Sequence, residues 1–246
     1  MTLLHDGSVT RRLSTDTPHV EILRFKETPT AFNAERRAVF AGKAELSNRI
    51  ASMVFRFLED RGVASYYLDT VNKSDMRVRA LTSFPVELLC RNIAAGSLSR
   101  RLGLPDGTRL ARPITEVYYQ NEALGDPLLT DEHIAALKLL RPAELAEQRR
   151  LALLTNTALS ELWDRAGLTL VDVTLHFGVS VDGQVLLSGA LTPDTMTVWA
   201  PAGPHHGAET FRRVHGARID SYQELYDRLV DAWPSLKLDD LVDPPA

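Results

Sequence analysis

Apolar positions in this chain alternate with polar ones over several short stretches and recur at helical spacing over three longer ones. His19–Phe25 alternates residue by residue, as a half-buried strand does. Across Ala38–Arg61, Ile50, Met53, Val54, Phe57 and Leu58 fall on one helical face, and Gly62 supplies a stop. Ala64–Leu68, Met76–Leu81 and Val86–Cys90 read as short strands parted by turn residues. Pro105–Pro113 breaks the pattern as a loop rich in glycine and proline. A second long helix is predicted over Pro142–Gly167, with Leu145, Leu151, Leu154, Leu159 and Leu162 as its buried stripe. Strands over Leu168–Phe177 and Val185–Leu191 follow, joined at Val181-Asp182-Gly183, then an amphipathic helix over Ser221–Trp233 and a loose tail. Strands first and mixed elements afterwards predict an α+β fold.

Composition narrows the function classes. The 246 residues carry 28 basic and 32 acidic side chains, a mildly negative balance that speaks against a nucleic-acid or membrane-surface protein. Cys90 is the sole cysteine, so neither an internal disulfide nor a paired-cysteine metal site is expected. It sits in an apolar run and is expected to be a small buried hydrophobe. No apolar stretch approaches membrane-spanning length, and His5, Asp6, Arg11 and Arg12 interrupt any signal-peptide core. The expectation is a cytoplasmic protein.

The most informative segment is Arg91-Asn92-Ile93-Ala94-Ala95-Gly96-Ser97, which reads as a strand end turning into a short basic helix. The Arg91 guanidinium, the Ser97 hydroxyl and backbone N–H groups together suit a phosphate. The stretch resembles the R-N-x-A-A-G-S signature of the SAICAR synthetase family, purine-pathway ligases that join aspartate to a carboxyaminoimidazole ribonucleotide using ATP. Further matches run in the family's order: Thr30-Ala31-Phe32-Asn33, Gly42-Lys43, Asn48-Arg49-Ile50, Gly125-Asp126-Pro127, Asp131-Glu132-His133 and Pro193-Asp194-Thr195. The resemblance covers roughly residues 3–232. It implies a β-rich N-terminal lobe, residues 1–82, packed over an α/β C-terminal lobe, residues 83–246, with a ligand cleft between and a homodimer as the assembly.

Several positions depart from the family's pattern. Its two hairpin lysines are Ser8 and Thr10 here, and its V-K-K strand keeps one cation, Arg79. Thr174 and His176 stand for a lysine and a glutamate, Gly189 and Ala190 for an acidic pair, Gln120 for a lysine and Thr197 for an arginine. Phosphoryl transfer depends on charge placed around the phosphates and the metal. These losses lead to the expectation that ATP and Mg²⁺ are no longer used, leaving no cofactor and no metal site.

What remains defines the candidate site. Arg91, Ser97, Arg212 and Asn33 are expected to bind a phosphorylated nucleotide, with Arg79 a remnant of the nucleotide site. His176, Asp172 and Asp126 are the candidate catalytic groups. His176 titrates near neutrality, and Asp172 shares its strand face through Thr174. His133 is expected to cap a helix. Three functions compete: an ordinary ATP-dependent synthetase, a non-catalytic nucleotide-binding relative, and ATP-independent remodelling of a nucleotide ring. The last is the one the lost charges favour, since proteins resembling SAICAR synthetase are found in nucleoside-antibiotic pathways of the coformycin and pentostatin type, where a purine-derived ring is remodelled.

Overall fold

The computed structural model describes residues 1–27, 41–201, 211–214 and 219–238, with backbone alone for 201, 211–214 and 219–221. The chain opens with three strands, β1 (Leu3–Asp6), β2 (Thr10–Ser14) and β3 (Val20–Phe25), followed by helix α1 (Lys43–Asp60). Strands β4 (Tyr67–Thr70) and β5 (Asp75–Arg79) complete a five-stranded antiparallel sheet in the order β1-β2-β3-β5-β4. Next come β6 (Thr82–Ile93), α2 (Ser97–Leu102), β7 (Arg109–Tyr119), β8 (Leu128–Leu129) and α3 (Asp131–Ala136). The remainder is α4 (Pro142–Arg165), β9 (Thr169–Val179), β10 (Val185–Ser188), β11 (Met196–Pro201), β12 (Phe211–Val214) and α5 (Ile219–Ala232). The second sheet is antiparallel, in the order β12-β11-β9-β6-β7-β8, and β10 pairs with β9 beside that path. Two sheets and five helices make the α+β fold expected from the order of elements.

Local chemistry explains the boundaries. In α1 the five apolar residues picked out by spacing are all buried, and the chain leaves the helix through left-handed Gly62. Helix α4 starts with Pro142 in its first turn, where a missing N–H costs nothing, and Glu144 accepts from the Arg141 N–H at 2.8 Å. Its stripe of Leu145, Leu151, Leu159 and Leu162 is buried, with Leu154 packed at the margin. Cys90 is buried as expected, its Sγ 3.7 Å from the Ala152 carbonyl, and burial pushes its thiol up to about 11.

Three elements differ from the sequence expectation. The strand expected over Val86–Cys90 extends to Thr82–Ile93, because β7 and β9 flank it and supply partners along its length. Its pairing with β9 shifts register between Ser83 and Glu87, around Pro85, which has no N–H to give. The presumed loop Pro105–Pro113 contains the start of β7, held at its entry by Ala94, whose N–H donates to the Thr108 carbonyl at 2.8 Å. Tyr66 lies outside β4 because its N–H is taken by Leu187 O of β10, at 2.9 Å. That bond fastens one sheet to the other. Gly178 makes the junction tighter still: a Cβ there would stand 2.8 Å from Leu81 Cβ. One apolar core runs behind both sheets, from Leu23 and Met76 through α1 and α4 to Tyr222 and Leu229. Among the described residues no helix is long and apolar enough to cross a membrane.

Candidate functional site

Alternation on β9 divides its side chains. Val171, Val173, Leu175 and Phe177 enter the core, whereas Asp172, Thr174 and His176 lie on the opposite face and are partly exposed. Pairing extends this polar face sideways. Asp172, Thr174 and His176 stand opposite Arg91, Leu89 and Glu87 of β6. Leu89 and Glu87 stand in turn opposite Glu116 and Tyr118 of β7. Two groupings of polar residues result, one at each end of β9.

The first is centred on Arg91, whose side chain is only 6 % exposed. Its Nε donates to Glu116 at 2.6 Å and its Nη2 to Ser97 Oγ at 2.9 Å. Nη1 stands 3.6 Å from Asp172, an ion pair looser than the hydrogen-bonded one with Glu116. Arg101 and the Tyr118 hydroxyl also donate to Glu116. Burial alone would raise the Glu116 carboxyl, but hydrogen bonds from Arg101 and Arg91 outweigh it and hold it below the usual carboxylate range. Glu116 was not among the residues singled out from sequence. A lone glutamate in an alternating strand carries no local signal, and only strand pairing puts it beside Arg91.

The second grouping surrounds His176. Gln120 Nε2 lies 2.7 Å from its Nδ1, and Glu87 Oε2 stands 3.9 Å from its Nε2. Burial lowers the His176 pKa and raises that of Glu87. His176 and Asp172 share a face, but four residues of strand separate them by roughly 13 Å. The pairing inferred from alternation is therefore replaced: Asp172 faces Arg91, and the carboxylate near His176 is Glu87. Asp126 is exposed in a left-handed turn (φ 47°), where its carboxylate accepts from the Asn121 N–H at 2.8 Å. It closes that turn, and its charge adds to the upward shift of Glu87.

Between the two sheets lies a cavity of about 430 Å³. His5, Thr10, Arg12, Glu21, Leu23 and Arg79 line it from the first sheet, and Phe84, Gln120, His176, Phe177, Ser188 and Gly189 from the second. Arg12 and Glu21 form a two-point pair at 2.6 and 2.9 Å. Arg79 lies at the rim with no salt bridge among the described residues. Asn33 lies outside the described residues, and Arg212 is described only as a backbone position opposite Ala200. His133 caps α3: its N–H donates to Thr130 Oγ1, and its Nδ1 accepts from the Thr130 N–H at 3.1 Å.

A further pair went unassigned in the sequence although both members lie in matched motifs. Lys43, at the start of α1, is buried and stands 3.0 Å from Asp194, in the turn after β10, with the Tyr222 ring 5.3 Å below its Nζ. The matches Gly42-Lys43 and Pro193-Asp194-Thr195 are thus two halves of one contact.

Comparisons with known proteins bear on family and fold. A family model described as SAICAR synthetase matches residues 3–229. The phosphoribosylaminoimidazole-succinocarboxamide synthase of Exiguobacterium sibiricum is 39 % identical over 227 residues, covering 92 % of this chain and 97 % of the relative. That of Bacillus subtilis is 35 % identical over 228 residues, covering 92 % and 95 %. Among solved structures, the synthase of Ehrlichia chaffeensis superposes with a TM-score of 0.83 at 31 % identity, covering 92 % and 98 % of the two chains. A SAICAR synthetase in complex with ADP gives 0.83 at 30 % identity, covering 92 % and 97 %.

These findings overturn the expectation that ATP and Mg²⁺ are lost, since the similar proteins carry the synthase name and one of them holds ADP. The physical error lay in counting the departures as independent. Positions 120, 176 and 189 touch: Gln120 bonds the His176 ring, and a Cβ at Gly189 would stand 2.9 Å from His176 Cδ2. In the fold, then, these three positions form one local contact.

Proposed function

Because the chain belongs to the SAICAR synthetase family, we propose that it catalyses that family's ligation. An amide bond would form between the carboxylate of a 5′-phosphoribosyl imidazole and the amine of aspartate, with ATP as co-substrate. The observation that carries this reading is the Arg91 group, a buried guanidinium fixed by Glu116 and Ser97 and set beside Asp172 on the polar sheet face. Arg91 and Ser97 would receive the phosphorylated end of the substrate, with the more exposed Arg101 beside them. Glu116 keeps Arg91 charged and fixed, so no guanidinium reorganisation is needed when the ligand arrives.

The inter-sheet cavity suits an adenine nucleotide. Its volume is in the range of small-molecule sites, Leu23, Phe84 and Phe177 offer apolar surface to a base, and Arg79 offers a cation. Among the described residues no three acidic, histidine or cysteine side chains converge as a metal site. Magnesium would come on the nucleotide's phosphates, which needs at most one or two protein carboxylates. When bound, ATP supplies the phosphoryl group that makes a carboxylate oxygen able to leave. The chain's part is to hold the reactants close and to exclude water between its two sheets. No observation in the fold favours ring remodelling over this reading, and the relatives carry the synthase name.

Incubation with carboxyaminoimidazole ribonucleotide, aspartate and Mg-ATP is expected to release ADP only when all three are present. ADP release that ignores aspartate, or none at all, refutes the ligase. The dephosphorylated imidazole nucleoside should bind about 10- to 100-fold more weakly, the size of one lost charged hydrogen bond. A cytoplasmic homodimer belongs to the same proposal. Light scattering should then give twice the 27.3 kDa of one chain, and a monomer at working concentration removes that part.

A further inference from the structure

The ring of His176 is confined on three sides. Ser188 of β10 is its strand partner, and the next residue, Gly189, turns away in the left-handed region (φ +79°). Any side chain there would press on the ring, since a Cβ would come within 2.9 Å of Cδ2 and 3.3 Å of the histidine's own Cβ. The Gly189 carbonyl accepts the Tyr66 hydroxyl at 2.8 Å, which pins this turn to the first sheet. On the other side Gln120 Nε2 approaches Nδ1 at 2.7 Å.

The Gln120 amide also determines which ring nitrogen bears hydrogen. Its Nε2, a nitrogen that donates and does not accept, is the amide atom facing Nδ1. Nδ1 then accepts a hydrogen bond, and the hydrogen of the neutral imidazole resides on Nε2. Burial favours the uncharged ring in the same direction. Glu87, at 3.9 Å, is too distant to take the Nε2 hydrogen. The ring lines the inter-sheet cavity, and among the described residues no hydrogen bond engages Nε2.

We propose that His176 is a hydrogen-bond donor to the ligand of this cavity, presenting Nε2–H to an acceptor oxygen or ring nitrogen of a nucleotide, with Gln120 setting its tautomer and Gly189 keeping room for its ring. The inference rests on the nucleotide reading of the cavity given above. It differs from the proton shuttle suggested by the sequence, because the basic nitrogen of the ring is already occupied by Gln120. His176 is thereby a specificity-determining contact, and Gln120 a positioning residue acting through it.

Nitrogen-15 spectra of the imidazole in the free protein at neutral pH decide the tautomer. One protonated nitrogen, Nε2, is expected, and its resonance should move when ADP is added. In Gln120→Glu a carboxylate would accept at Nδ1, move the hydrogen there and leave Nε2 bare. ADP affinity should then fall about 3- to 10-fold, the range for one neutral hydrogen bond. A ring protonated at Nδ1 or at both nitrogens in the wild type overturns the proposal. So does ADP that binds without moving the Nε2 resonance, or Gln120→Glu with wild-type affinity. No calorimetric heat with ADP would instead remove the nucleotide reading and the donor role together, and the free-protein spectrum tells that failure from a wrong tautomer.

Discussion

Glu116→Ala is expected to lower stability by about 3–5 kcal/mol, the usual cost of removing one partner of a buried ion pair. Arg91, its side chain 6 % exposed, would lose the carboxylate that hydrogen-bonds it and keep only the looser pair with Asp172 at 3.6 Å. For a chain of this length such a loss corresponds to a drop of roughly 6–20 °C in melting temperature. Arg91→Ala should cost less, because Glu116 would keep Arg101 and Tyr118 as donors. The pH dependence carries the same signature. A carboxyl depressed in the folded state stabilises fully above its unfolded pKa of about 4.3 and loses that contribution as pH falls through the lower folded value. Glu116→Gln should therefore remove part of the acid-side decline in melting temperature. Melts of the three variants between about pH 2 and 7 check this. A Glu116→Ala protein as stable as wild type would mean that Arg91 finds water, and the rigid-arginine account of the substrate site would go with it.

Asp194→Ala is expected to cost a similar 3–5 kcal/mol. Lys43 has 4 % of its side chain exposed and depends on Asp194 for its counter-charge. Removing the aspartate leaves an ammonium against the Tyr222 ring, which compensates only in part. The double variant Lys43→Met with Asp194→Ala should regain most of the loss, since an apolar side chain of similar length can occupy the same space. Denaturant titration of the single and double variants measures the coupling. If the double variant is no more stable than Asp194→Ala, the destabilisation comes from the turn itself and not from the stranded lysine. The turn also leads into Thr197, the strand partner of Asp172, so the single variant should weaken substrate binding beyond its effect on stability.

Much of the architecture is legible along the chain because helices and buried-face strands impose a local period. The α1 and α4 stripes, the alternation of β9 and the turn at Gly183 need no knowledge of distant residues. Motif order along the chain likewise identifies the family before any coordinate is considered, as does the expectation that Arg91 and Ser97 meet, six residues apart across one turn. What local pattern misjudges is anything decided by a neighbour remote in sequence. β7 forms across a segment rich in turn residues because β6 offers it backbone partners, and β6 outruns its apolar stretch for the same reason. Alternation correctly puts Asp172 and His176 on one face, yet a face has length, and their partners come from β6 and from the residue after β7. The nucleotide question turned on the same distinction. Along the chain, Gln120, His176 and Gly189 are three separate losses of charge. Folded, they are one contact, because antiparallel pairing brings β10 onto β9 and the Gln120 side chain reaches past β6 to His176, and whether a substitution is a loss or an exchange depends on what it touches.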